Sequence, residues 1–452
     1  MSSFLKQQLA VFCLAVALTG CQSYQPAPLN STVHAEKWHA RSPSDENVRE
    51  FASRIGTTVA RQSLFNPDDG ITLSEGKVVA LVYNADLRIA RLKAGVAQAT
   101  AEYAGEWDNP ELILSVQKVT ESVPDPWVIG SALSLTIPVS GRLNIEKLRA
   151  NAETDSKLAM VAEDEWQTLA DLAKVWLEWS ANRLRLEENE RLIASLNVIL
   201  KTTEKLAEAG ELSRTESSLF KVEQASRMAD VASLRGRVDE QEKEIRALMG
   251  LSPSASIKLI PSFDVSAHSE SAQLVDSNLT IVRLQSEYEV AELSLRREIR
   301  KQYPDIQLGP QFEKDQGQSK IGLAGGIPIP IFNSNKGGIA TARAERELAR
   351  ATFEQALEKA QARLAVLDSR LENVRFRRQL LNESVVPLLD QQIEDAQNLL
   401  EIGEGNSLIL LESLIRAHET KLDLIEARLE ESVTLSETRH LRGPASFAAT
   451  NL

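Results

Sequence analysis

Two hydrophobic periods alternate along this chain. Leu169, Leu172, Trp176 and Trp179 recur in steps of three and four, which marks one face of a helix. The pattern returns, longer, at Phe353, Leu357, Ala360, Leu364, Leu367, Leu371 and Val374: three heptads of a coiled-coil seam with charged residues between them. No proline lies between Pro138 and Pro253, and only Gly210 and Gly236 interrupt residues 142–249, so very long helices are allowed there. The pattern predicts helices over 72–105, over about 141–209 and back to about 249, then over 271–302, about 338–402 and back to about 441. Elsewhere the period drops to two. Leu112, Leu114 and Val116 form one alternating set, and Leu133, Leu135 and Ile137 a second. Ile306, Leu308 and Phe312 form a third, and Ile321, Leu323, Ile327, Ile329 and Ile331 a fourth. Strands of about ten residues have the length of a tilted transmembrane β-strand. Trp107 and Trp127 stand at strand edges, where a membrane-interface girdle places aromatic residues.

The two halves repeat. Asn109-Pro110-Glu111-Leu112 returns as Tyr303-Pro304-Asp305-Ile306, 194 residues on. Ile137-Pro138-Val139 returns as Ile329-Pro330-Ile331 after 192, and Ala209-Gly210-Glu211 as Ile402-Gly403-Glu404 after 193. Two copies of one helix–strand–strand–helical-hairpin unit are expected, over 71–260 and 261–442, followed by a short tail over 443–452. The fold class is therefore mainly α with a small β part. Four strands cannot close a barrel, since the smallest transmembrane barrels use about eight. Open sheet edges cannot face lipid either, because each unpaired backbone group costs several kcal/mol there. If the strands enter a membrane, several chains pool them, and three chains supply an even twelve.

The ends add an address. Residues 1–20 carry Lys6 and an apolar run from Leu9 to Leu18, too short to span a bilayer. The run ends in Leu18-Thr19-Gly20-Cys21, small residues before a cysteine, which fits a lipoprotein signal with Cys21 as the lipidated terminus. An ordinary secretory signal is the alternative. Residues 21–70 are rich in proline and polar residues and are expected to form an extended tether with few contacts of its own. The two cysteines, Cys13 and Cys21, leave no disulfide framework, thiol nucleophile or zinc cluster in the remaining chain. The formal charge of −13, with no basic block, argues against nucleic acid as a partner. Among the five histidines no pair stands at i, i+4, and the glycine-rich run 322–326 lacks the Lys-Ser/Thr of a phosphate loop. No catalytic residue, metal site or cofactor is expected, and the chain reads as no enzyme.

These residues resemble the TolC-like outer-membrane efflux proteins. The resemblance rests on Leu73-Ser74-Glu75, on Asn84-Ala85-Asp86-Leu87 and on Leu248-Met249-Gly250-Leu251-Ser252-Pro253. It rests most specifically on Gly326-Ile327-Pro328-Ile329-Pro330-Ile331-Phe332-Asn333 with Asn335-Lys336-Gly337-Gly338, then on Val386-Pro387. Cys21, Tyr24 and Pro26 look like its lipoprotein branch, and the whole is most similar to components serving cation and metal pumps of the RND type. Ala85 stands where the family has proline. The resemblance implies a homotrimer with a twelve-stranded barrel in outer-membrane lipid and an α-barrel in the periplasm. It implies passive conduction from an inner-membrane RND-type pump through a periplasmic adaptor protein. Gly210, Glu211, Gly403 and Glu404 would then be adaptor-contact tips, and Glu216 and Glu412 luminal gate candidates, although Ile409 occupies a place that is often acidic. A solvated helix face is the plainer reading of both glutamates. The competing function is a periplasmic coiled-coil adaptor or scaffold lipoprotein, which calls for one hairpin where this chain has two.

Overall fold

The computed structural model describes residues 24–59, 65–210, 213–265, 274–401 and 406–444. The chain divides into two units, residues 1–41 and 42–452. In the first, α1 spans Ser31–His39, its first turn capped by the Asn30 side chain, which accepts from the Val33 N–H at 3.0 Å.

The second unit opens with α2 (Glu46–Val59), then α3 (Leu73–Tyr83) and α4 (Ala85–Glu102). β1 (Glu111–Lys118) and β2 (Trp127–Ile137) lead into α5 (Arg142–Ala209) and α6 (Arg214–Leu248). The order then repeats. A single turn, α7 (Leu274–Ser277), precedes α8 (Leu279–Arg300), β3 (Ile306–Asp315) and β4 (Gln318–Gly326). A second hairpin follows: α9 (Lys336–Leu380), a π turn (Leu381–Val385), α10 (Val386–Glu401) and α11 (Ser407–Arg442). At 68 residues, α5 runs about 100 Å by helix rise.

The expected heptads are where the helices meet. Ala360, Leu367 and Val374 are buried, and the other four seam residues are half-buried. Leu172, Trp176 and Trp179 lie in the main core with Val79, Ile245 and Met249, the two indoles edge to face at 5.8 Å. Contacts run in one order: α4 and α6 lie on α5, α5 lies on α8 and α11, and α8 and α11 lie on α9. The four strands form one antiparallel sheet in the order β1-β2-β3-β4, so the two copies join through β2 and β3.

Four expectations are corrected. The stretch 21–70 is not simply an extended tether: α2 packs on α3, and Val48 is fully buried in the main core. Tyr83 donates to Asp45, and Asn66 N–H donates to Glu75 at 2.8 Å. The helix expected over 72–105 breaks at Asn84, and its counterpart over 271–302 breaks at Asn278, 194 residues later. Each asparagine caps the next helix and ties it to the end of a hairpin. Asn84 Oδ1 accepts from Asp86 and Leu87, while Nδ2 donates to the Leu248 carbonyl at 2.9 Å. Asn278 Oδ1 accepts from Ile281, and Nδ2 donates to the Leu441 carbonyl at 2.6 Å. Just beyond those carbonyls sit Gly250 (φ 73°) and Gly443 (φ 79°), where a Cβ would stand 2.1 Å from Tyr83 O and 1.7 Å from Ser277 O. Third, the helix expected over 338–402 is interrupted: Val386 N–H reaches back five residues to Leu381 O, just before Pro387, which brings no N–H. Fourth, the last strand stops at Gly326 and does not run to Ile331.

Candidate conduit surfaces

The sheet sorts its side chains by chemistry. Across the four strands, Leu114, Ser131, Phe312 and Ile321 stand in one row, and Leu135, Leu308 and Gly325 in another. Leu112 opposes Leu133, and Pro310 opposes Leu323, on the same side. The rows in between belong to the other side: Ile113-Ala132-Gln311-Gly322, Ser115-Gly130-Glu313-Lys320 and Thr136-Gln307-Gly326. One side is thus dominated by large apolar groups and the other by small and polar ones, as a strand period of two requires of a wall between lipid and water. Among the described residues nothing covers the apolar side: Leu114 is 70% exposed and Ile321 86%. Lys320 pairs with Glu313 and Asp315 at 3.3 and 2.8 Å beside the β3–β4 turn.

Among the described residues both outer strands lack a neighbour on one side. The helices end the same way. Ile89, Leu92 and Val96 are exposed apolar residues on α4, the helix that leads into β1, and Val222 and Met228 are exposed on α6. Leu348, Val366, Phe376 and Leu388 are exposed on α9, which follows β4, and on α10.

At the hairpin ends, Gly210 takes a left-handed conformation (φ 79°) with no atom within 4 Å of where a Cβ would be. Glu211, Gly403 and Glu404 lie outside the described residues, as do Cys21 and the whole signal segment. The two gate candidates are not counterparts. Glu216 stands close to the helix end of the other hairpin, with Ser407 Oγ 3.4 Å from its carboxylate. Glu412 is exposed and pairs along its own helix with Arg416 at 2.9 Å. The repeat offset of 193 matches Glu216 to Ile409 instead. The hairpins are joined at this end by a second apolar cluster, with Leu196 and Phe220 fully buried against Leu410, Leu411 and Leu414.

One seam residue carries no sequence signal. His418 of α11 is buried with its Nε2 unpartnered, facing α6 where Arg227 is held by Glu223 and Asp230 at 2.6 and 3.2 Å. Burial first, then the Arg227 charge, pushes its pKa down to about 4; Glu223 and Asp230 oppose the shift, and Lys421 on its own helix adds to it. At the junction of α8 and α9, Glu298 accepts from Lys301, Asn335 and Arg297. Burial alone would raise its pKa, but those hydrogen bonds hold it down at about 2. No described helix is long and apolar enough to cross a membrane.

Comparison with known proteins agrees with this architecture. Residues 78–251 match the family described as outer membrane efflux protein. The chain is 21% identical to the cobalt-zinc-cadmium resistance protein CzcC of Cupriavidus metallidurans over 381 residues, 81% of this chain and 87% of that protein. Its fold superposes on the outer membrane protein VceC of Vibrio cholerae with a TM-score of 0.71 at 19% identity, covering 83% of this chain and 97% of VceC. It superposes on the CmeC outer membrane channel of Campylobacter jejuni with a TM-score of 0.70 at 12% identity, covering 95% of each. The family and the structural neighbours are channel proteins, not enzymes.

Proposed function

We propose that this chain, whose fold and family resemblance are those of the outer-membrane efflux proteins, is one third of a passive conduit that exports small solutes across the outer membrane. The observation that carries the proposal is the sheet: one apolar side, one small and polar side, and two free edges. Each free edge exposes backbone groups that hydrocarbon cannot satisfy, so the sheet enters a membrane only as part of a closed ring. α4 and α9 are outer helices of the contact order and carry exposed apolar side chains, so one ring would close strands and helices together. Three copies give twelve strands. Solute energy comes from elsewhere: the conduit would receive its cargo from an inner-membrane pump of the RND type through a periplasmic adaptor meeting the hairpin tips. The likeness to CzcC favours metal cations as cargo. Lipid on Cys21 would add a second anchor to the barrel, and Cys21→Ser should abolish labelling with radioactive palmitate.

The test is assembly with conductance. Detergent-purified protein should run as a trimer and give stepwise currents in planar bilayers. Deleting the gene should sensitise cells to a pump substrate, and the intact gene should restore resistance. A monomer of native helix content, with no conductance, sinks the proposal. The adaptor alternative predicts no conductance.

A further inference from the structure

The duplication places two versions of one seam in the molecule, and only one of them is filled. Inside the chain the first copy meets the second through β2 on β3 and α5 on α8. At the base of that seam Leu135 opposes Leu308, Ile137 opposes Ile306, and Arg142 at the start of α5 pairs with Asp305 at 3.0 Å. The second copy has the matching outer surface, with no strand or helix on it among the described residues.

The matching positions follow from landmarks. Val139 N–H donates to Ile137 O at 3.0 Å, and Ile331 N–H donates to Ile329 O at 2.9 Å, so the turn after β2 recurs after β4 and Ile137 corresponds to Ile329. By the same offset Leu135 corresponds to Ile327. Pro304-Asp305-Ile306 enters β3 as Pro110-Glu111-Leu112 enters β1, so Asp305 corresponds to Glu111, Ile306 to Leu112 and Leu308 to Leu114. Arg142 and Lys336 are the first residues of their long helices, each after a left-handed residue, Gly141 (φ 70°) and Asn335 (φ 56°). The chemistry is kept at all three contacts: apolar with apolar twice, and a base with an acid.

The exposures agree with a missing neighbour. Leu135 and Ile137 are half-buried against β3, whereas Ile327 and Ile329 are 57% and 75% exposed and Leu112 63%. Glu111 and Lys336 are exposed, and among the described residues neither makes an ion pair. The early end of β4, just before Pro328, which brings no N–H to a ladder, is consistent with that missing neighbour. Residues 135–137 of β2 pair only with β3, the first strand of the following copy, and among the described residues their counterparts 327–329 have no such following strand.

We propose that the seam between copies repeats the seam within the chain. Ile329 of one copy pairs with Leu112 of the next, Ile327 with Leu114, and Lys336 forms an ion pair with Glu111. Residues 327–329 become strand on assembly. This rests on the ring reading above.

Cysteine cross-linking tests the register. Directly opposed residues of an antiparallel pair have Cα atoms about 4.5–5.5 Å apart, within disulfide range. Ile329→Cys combined with Leu112→Cys should oxidise to a covalent ladder of dimers and trimers, in several-fold greater yield than with Pro110→Cys or Leu114→Cys, the registers two residues away. Single-cysteine variants report any background from Cys13 and Cys21. Lys336→Glu should lower trimer yield, and Glu111→Lys in the same chain should restore it. A trimer that cross-links best at 110 or 114 overturns this register and leaves the ring standing. A parent protein that is monomeric overturns the ring itself.

Discussion

Asn84 and Asn278 each do two jobs with one side chain. The amide oxygen caps a helix, and the amide nitrogen satisfies a carbonyl at the end of a hairpin some 160 residues away in sequence. Losing a cap costs about 0.5–2 kcal/mol, and the orphaned carbonyl adds to it. Asn84→Ala and Asn278→Ala should therefore each lower the thermal midpoint. Asn84→Asp, which keeps the acceptor and loses the donor, should fall between wild type and alanine; equal losses for Asp and Ala would show that the cap is idle. His418 makes a pH prediction. Its pKa lies below the ordinary value, so the folded state binds fewer protons than the unfolded one between pH 6.5 and 4. Its contribution is whole above pH 6.5 and is lost as pH falls towards 4. His418→Gln should flatten the stability profile in that window, as read by thermal unfolding across pH. Neither role shows in the sequence. The tetrad Asn84-Ala85-Asp86-Leu87 points to a helix, but that Asn84 ends one helix and starts another depends on where Leu248 lies.

Among the elements, the long helices and the strand positions were legible because each repeats one period over many residues. What was not legible depends on partners. A helical pattern continues smoothly through Asn84, and only Gly250, pressed against the Tyr83 carbonyl, shows why the chain bends there. The alternation through Ile327, Ile329 and Ile331 is real, yet Pro328 and Pro330 bring no N–H to a ladder and no neighbouring strand is at hand among the described residues. Val48 reads as one apolar residue in a polar stretch, although it completes the core. The hairpin ends give the prediction of this scale. Because Gly210 has open space around it, a side chain there costs only backbone strain, about 1–2 kcal/mol. Gly210→Asp with Gly403→Asp should leave trimer yield and bilayer conductance intact. If the tips dock an adaptor, efflux in cells should nonetheless be lost. Normal efflux would remove the tips from the docking surface, and loss of the trimer would assign the glycines to folding.

For the whole molecule, the question is which side of the sheet meets lipid, and two neighbouring residues decide it. Leu323 stands on the apolar side, opposite Pro310. Gly322 stands on the other side, in the row Ile113-Ala132-Gln311-Gly322, with no atom within 4 Å of where its Cβ would be. A lysine on a lipid-facing strand position costs about 2–4 kcal/mol near the bilayer midplane, and in a trimer the cost is met three times over. A lysine in a water-filled lumen costs little and adds three positive charges to the ion path. Leu323→Lys should therefore deplete the outer-membrane trimer. Gly322→Lys should leave its yield unchanged and shift single-channel conductance and cation preference. The substitutions are one residue apart on one strand, so a general weakness of β4 would harm both alike. Reversal of the two outcomes would turn the sheet inside out, putting the small and polar rows against lipid, and the conduit reading would fall with it.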